Sequence, residues 1–225
     1  MTTSFVDNRE GSTVTAIVQP HQPLSRQLSS TGLLAIVRST DNTEAISRAT
    51  ALVEAGVTVL EISFTLAGAP RVIEFLRAEL PAEVLVGAGT VLSGADAAVA
   101  ADAGADFLVA PNFSAAARTV AEERKLGYYP GAFSPSEIVS AWEAGVAAVK
   151  VFPAAALGIV YLQQVREPLP RIPLLAVGGV TFENAATYLD AGASAVGLGR
   201  ALSSAEPSRL RAFVTELAER RAARP

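Results

Sequence analysis

Short apolar runs recur along the chain from Leu33 onward, and an amphipathic segment follows each of them. The runs are Leu33–Val37, 57–62, Val84–Gly87, 105–111, Gly127–Tyr129, 146–152, Pro173–Val177 and 193–199. Four of them begin directly after an acidic-Ala-Gly echo: Glu54-Ala-Gly56, Asp102-Ala-Gly104, Glu143-Ala-Gly145 and Asp190-Ala-Gly192. A glycine there supplies the left-handed residue that ends a helix, and the apolar run after it reads as a buried strand. The first helical segment illustrates the pattern. Thr43 reads as its N-cap, and Ala45, Ile46, Ala49, Leu52 and Val53 fall on one face. Strands alternating with helices without a break imply parallel strands joined by crossover helices.

Eight such units in a chain of 225 residues close best as an α/β fold of one small domain, a (β/α)8 TIM barrel over residues 23–225. The polar stretch 1–22 reads as a loosely ordered N-terminal tail. A doubly wound open sheet is the alternative. Against it stand the uniform composition and the lack of G-x-G-x-x-G after the first strand.

A barrel collects its catalytic groups at the C-terminal ends of its strands. In order, those ends carry Arg38, Glu61, Gly87-Ala-Gly-Thr90, Pro111-Asn112, Pro130-Gly131, Lys150, Gly178-Gly179 and Gly197-Leu-Gly199. Lys150 is one of two lysines in a chain with sixteen arginines, and every neighbour within five positions is apolar, Pro or Gly. A desolvated lysine has a lowered pKa and a free amine, the nucleophile that forms Schiff bases with ketones. Glu61 falls across the barrel mouth from it. The pair reads either as a buried ion pair or as a nucleophile with its acid/base partner, since Schiff-base chemistry needs several proton transfers. Gly178, Gly179 and Gly199 follow the last two strands, where barrels commonly bind phosphate on backbone N–H groups. Arg38 is placed either to snorkel at the rim or to clamp an anion.

Composition narrows the chemistry further. The formal net charge is −4 and the charges are scattered, so no nucleic-acid footprint exists. There is no cysteine, which removes disulfide, thiolate and cysteine–metal chemistry and permits a cytoplasmic address. His21 is the sole histidine, so a histidine metal site and a Ser-His-Asp triad are both set aside. No apolar stretch reaches the length of a membrane span, and residues 1–22 lack a signal-peptide layout.

At its rim motifs the chain resembles a known family. Glu61-Ile-Ser, Val86-Gly-Ala-Gly-Thr-Val-Leu92, Ala110-Pro-Asn112, Pro130-Gly131, Val149-Lys-Val-Phe-Pro153, Ala176-Val-Gly-Gly-Val180 and Ala195-Val-Gly-Leu-Gly199 are similar to motifs of the class I aldolases for 2-keto-3-deoxy-6-phosphogluconate, 2-keto-3-deoxy-6-phosphogalactonate and 4-hydroxy-2-oxoglutarate. The resemblance implies that Lys150 forms the Schiff base and Glu61 shuttles protons. It further implies that Thr90 and Pro111 contact the pyruvate moiety, that Phe152 walls it, and that Gly178, Gly179 and Gly199 bind the substrate phosphate. No metal or organic cofactor is implied. The partners implied are keto acid and aldehyde substrates and further copies of the chain, as a homotrimer.

Several positions depart from that pattern. Phe64-Thr65-Leu66 replaces a motif ending in Leu-Arg-Thr or Leu-Asn-Ser, and Arg200 stands where serine is frequent. Gly158 leads into Ile159-Val160, and Phe133 occupies a position usually held by smaller residues. The expectation is a pyruvate-dependent aldolase that cleaves a 2-keto-3-deoxy-6-phospho sugar acid to pyruvate and glyceraldehyde 3-phosphate, with Arg38 and Arg200 among the substrate contacts. The alternatives are a pyruvate aldolase for 4-hydroxy-2-oxoglutarate or another unphosphorylated substrate, a phosphate-binding isomerase or synthase, and a non-catalytic binding protein on the same barrel.

Overall fold

The structure, a computed structural model, describes residues 21–203 and 205–223. Residues 1–20, most of the stretch read as a tail, lie outside the described residues; His21 stacks on Trp142 with ring centroids 3.5 Å apart.

The chain runs through α1 (Arg26–Thr31), β1 (Leu33–Val37), α2 (Asn42–Glu54), β2 (Val59–Ser63), α3 (Ala69–Glu79), β3 (Leu85–Gly89), α4 (Gly94–Asp102), β4 (Phe107–Val109), α5 (Ala115–Glu123), β5 (Gly127–Tyr129) and β6 (Gly131–Ala132). It continues through α6 (Pro135–Glu143), β7 (Val149–Val151), α7 (Ala154–Arg166), β8 (Leu174–Val177), α8 (Ala185–Asp190), β9 (Ala195–Leu198), α9 (Arg200–Ser203) and α10 (Pro207–Ala222). All pairings are parallel, in the order β5-β4-β3-β2-β1-β9-β8-β7-β6. β5 and β6 are one stave interrupted at Pro130, which has no N–H to give a ladder. That stave pairs with β4 on one side and β7 on the other, and the Lys150 N–H donates to the Pro130 carbonyl at 2.8 Å. The ring therefore closes with eight staves, and the open sheet is excluded.

Each acidic-Ala-Gly echo ends a helix as its spacing predicts. Gly56, Gly104, Gly145 and Gly192 all adopt left-handed φ, between 82° and 102°. The cap of α2 differs from expectation: Asp41 accepts from the Glu44 N–H at 2.8 Å, and Thr43 lies inside the helix. Ser39, Thr40, Asp41, Asn42 and Thr43 form an unbroken run of polar residues, so composition alone does not single out the start. The face of α2 is as read, with Ala45, Ala49 and Leu52 buried.

Two apolar layers result. One lies between staves and helices. The other fills the barrel with Leu34, Ile36, Val59, Phe107, Val109, Tyr129, Ala148, Leu175, Val177 and Ala195, and Leu28 of α1 joins it from below. Because strand side chains alternate faces, this inward set carries on upward to Glu61, Ser63, Lys150 and Phe152. Glycines on neighbouring staves make the room: a Cβ on Gly87 would overlap the Phe107 ring, and one on Gly197 would press on Val177.

Candidate active site

Glu61 and Lys150 reach the barrel interior from opposite walls. In the stave order β2 and β7 are separated by β1, β9 and β8 on one side and by β3, β4 and the split stave on the other. Glu61 is 0% exposed and Lys150 2% exposed; with Ser63 they are the buried polar side chains of the described residues. Neither oxygen of Glu61 has a hydrogen-bond partner. No Lys150–Glu61 contact is among the ion pairs of the described residues. A closed buried ion pair, one of the two readings of this couple, is therefore not what the fold builds.

Electrostatics follow from this placement. Burial pushes the Glu61 carboxyl up from its ordinary pKa, and the charges of Lys150 and Arg38 pull partly against that shift. Burial pushes the Lys150 amine down; Glu61 opposes the shift, and Arg38 adds to it. Each group is thereby drawn away from its fixed charge and toward a proton exchanger's range, because a desolvated ion is costly. The Lys150 Nζ lies 4.8 Å from the centroid of the Phe152 ring, two residues along the same stave.

Above this pair the mouth has two lobes that share Phe152. One is a cavity of about 620 Å³ over β1, β8 and β9, whose lining includes Arg38, Gly178, Gly179, Thr181, Gly199 and Arg200. Gly178 and Gly179 have φ of 94° and 79°, which only glycine adopts at low cost. A Cβ on Gly179 would also overlap that of Ala155. The other lobe, about 400 Å³, lies over β4 and the split stave, with Pro111, Phe113, Gly131 and Phe133 in its lining. Phe113 and Phe133 are 40% and 49% exposed there. A capping box at Ser134 and Glu137 fixes the turn beneath Phe133, whose N–H donates to the Glu137 carboxylate at 2.8 Å. The Tyr161 hydroxyl donates to the Phe133 carbonyl at 2.8 Å.

Of the residues singled out from sequence, Arg38, Phe152, Gly178, Gly179, Gly199 and Arg200 share the first lobe, and Pro111 lies in the second. Thr90 lines neither lobe. It stands at the end of β3 with φ of 61°, next to Gly89, where a Cβ would overlap the Glu61 carboxylate. Ile159 and Val160 also line neither lobe, and Val160 is 63% exposed. Three neighbours were not singled out. Ser63 is buried beside Thr90, and the alternation of β2 that aims Glu61 inward aims Ser63 inward as well. Thr181 and Phe113 sit in loops, where no periodicity marks a direction.

Comparison with known proteins identifies the family and the fold. The family model for "KDPG and KHG aldolase" matches residues 24–211. The chain is 36% identical over 201 residues to a probable 2-dehydro-3-deoxy-6-phosphogalactonate aldolase of Rhizobium meliloti (strain 1021), covering 87% of this chain and 92% of that one. It is 35% identical over 184 residues to the 2-dehydro-3-deoxy-6-phosphogalactonate aldolase of Escherichia coli (strain K12), covering 78% and 86%. A solved structure described as native KDPGal superposes with a TM-score of 0.76 at 30% identity, over 84% of this chain and 95% of that one. Barrel, motifs and relatives coincide: the chain belongs to the KDPG and KHG aldolase family, whose named members are carbon–carbon lyases.

Proposed function

We propose that the protein is a pyruvate-dependent class I aldolase that reversibly cleaves a 2-keto-3-deoxy-6-phospho sugar acid to pyruvate and glyceraldehyde 3-phosphate. The observation that carries this reading is the buried Lys150, its amine pKa lowered, facing a buried Glu61 whose oxygens have no protein partner. The Lys150 amine adds to the C2 ketone, and loss of water leaves a protonated imine. Glu61 takes the C4 hydroxyl proton, directly or through a water. The C3–C4 bond breaks, its electron pair passes into the enamine, and the aldehyde leaves. Protonation of the enamine at C3 and hydrolysis of the imine release pyruvate and restore the amine. Glu61 begins and ends each cycle in the same protonation state, as a shuttle must.

The first lobe favours a phosphorylated aldehyde. Arg38 and Arg200 line it together with backbone at Gly178, Gly179 and Gly199, and guanidinium plus close backbone N–H groups is the donor set a phosphate needs. Arg200 replaces a frequent serine with a stronger, charge-assisted donor. The second lobe, with its two exposed phenylalanines, supports the other reading of an unphosphorylated, more apolar aldehyde. Incubating pyruvate with a panel of phosphorylated and unphosphorylated aldehydes, and weighing the products, separates the two. Condensation with glyceraldehyde 3-phosphate at a far higher kcat/KM than with glyoxylate or apolar aldehydes is expected, and the reverse ranking contradicts it. The same reading carries a homotrimer, which rests on the family resemblance, and a cytoplasmic address, which the lack of cysteine permits.

A further inference from the structure

Arg38 is the first residue past the ladder of β1, whose last pair on the β2 side is Val37 with Ile62. Its side chain is exposed in the first lobe, and no ion pair among the described residues fixes its guanidinium. Its direction therefore depends on the backbone that carries it, and the peptide joining Arg38 to Ser39 is gripped from both ends. Arg48 Nη1 donates to the Arg38 carbonyl at 2.9 Å, and Arg48 Nη2 donates to Glu44 Oε1 at 2.6 Å. The second Glu44 oxygen accepts from the Ser39 hydroxyl, which itself accepts from the Asp41 N–H at 3.0 Å. Glu44 is held in the first turn of α2, where its N–H donates to the Asp41 side chain at 2.8 Å. An exposed i,i+4 pair contributes little by itself; the bond to a main-chain carbonyl at a strand end sets this one apart. Only a guanidinium fork reaches a carbonyl and a carboxylate at once, which a single ammonium on a flexible stem does not match. Arg48 also lines a cavity of about 110 Å³ with Leu52, Leu202 and Leu210, and Ile36 stands between that cavity and the first lobe, lining both.

We propose that Arg48 is a positioning residue that, together with Glu44, clasps the Arg38–Ser39 peptide and so aims the Arg38 guanidinium at the phosphate of the aldehyde. This rests on the phosphorylated-aldehyde reading above. Arg48 does not line that lobe, so it acts through Arg38. Holding an exposed arginine in place beforehand lowers the ordering cost of binding the anion. The clasp has a second consequence, because Arg38 and Glu61 are the charges that act on Lys150. If the peptide swings away, phosphate affinity falls and the Lys150 amine loses a repelling neighbour in the same event.

The test measures two quantities: inhibition of pyruvate-dependent condensation by inorganic phosphate, and the pH midpoint of borohydride trapping at saturating pyruvate. Arg48→Met is expected to raise the phosphate inhibition constant and the KM for glyceraldehyde 3-phosphate about fivefold, part of what a bond to a charged group contributes. It is also expected to move the midpoint to higher pH. Glu44→Gln separates positioning from bulk charge. Removing an anion at a distance would lower the midpoint and strengthen phosphate binding, whereas loosening the clasp raises the midpoint and weakens phosphate, and the second pair of changes is expected. In an Arg38→Met background neither substitution has a further effect, the non-additivity of residues that act as one unit. Arg48→Lys, which keeps the charge but not the fork, recovers only part of the phosphate affinity. The proposal is overturned by an Arg48→Met enzyme with unchanged phosphate inhibition and midpoint, by Glu44→Gln changes of the opposite sign, or by effects that persist without Arg38. Should Arg48→Met fail to fold, Glu44→Gln and its double variant decide. A wild type that condenses aldehydes yet ignores phosphate would remove the phosphorylated-aldehyde reading and the proposal with it. A wild type that is not trapped at all would remove the aldolase reading, and phosphate affinity measured by calorimetry across the same variants would still decide the clasp.

Discussion

Burial pushes the Glu61 carboxyl up and the Lys150 amine down, and the Arg38 charge lowers both. Arg38 lowers the pKa of Lys150 and Glu61 raises it, so removing each neighbour has an opposite sign. At saturating pyruvate the trapping rate rises with pH as Lys150 deprotonates. In Arg38→Met the midpoint of that rise is expected to move to higher pH, because a repelling cation has gone. In Glu61→Gln it is expected to move to lower pH, because a stabilising anion has gone. Shifts in the same direction would contradict the assignment of charges around Lys150. Glu61→Gln is also expected to keep imine formation while losing about 10²–10⁴ in turnover, the usual contribution of a positioned acid/base. A variant that cleaves substrate at near wild-type rate would reduce Glu61 to a counter-ion. Both residues were legible in the sequence because they break the apolar pattern of their strands. Ser63 entered only as the last residue of the Glu61-Ile-Ser motif, because burial at the end of β2 and contact with Thr90 show only in the fold.

At the scale of elements, the site depends on where neighbouring staves have no side chain. β2 and β3 pair Glu61 with Gly87 and Ser63 with Gly89, and a Cβ at Gly89 would overlap the Glu61 carboxylate. Gly89→Ala is therefore expected to displace Glu61 and lower kcat by about 10²-fold, the scale of a misplaced catalytic group. Circular dichroism should show an intact barrel. Near-normal kcat would mean that Glu61 has another route into the mouth. Gly131 is different, since a Cβ there would strike the Pro111 carbonyl, and backbone cannot swing aside. Gly131→Ala should cost at least the roughly 1–3 kcal/mol of an overpacked core, read as a lowered urea midpoint. The strands and the helix ends were legible because four glycines follow the same acidic-Ala pair. The division of the fifth stave at Pro130 and the cap at Asp41 were not. The first depends on which proline faces a ladder, and the second on which of five adjacent polar residues turns inward.

For the whole molecule, the closed ring brings eight strand ends from across the chain to one mouth and divides that mouth at Phe152. The circle of rim residues was legible once eight parallel strands were counted, because the barrel fixes which strand ends meet. The two lobes were not, since they depend on where loop side chains such as Thr181 and Phe113 come to rest. The lobe with Arg38 and Arg200 predicts that inorganic phosphate and glyceraldehyde 3-phosphate compete with the aldehyde in pyruvate-dependent condensation. No inhibition at millimolar concentrations would move the enzyme toward an unphosphorylated substrate. The central claim is that the buried lysine is the nucleophile, and the chain offers a control, because Lys125 is the one other lysine and is exposed at the end of α5. Borohydride reduction in the presence of pyruvate, followed by peptide mass mapping, tests it most directly. The expected result is inactivation with a single stable adduct on Lys150; an adduct on Lys125, or full activity after reduction, would contradict it.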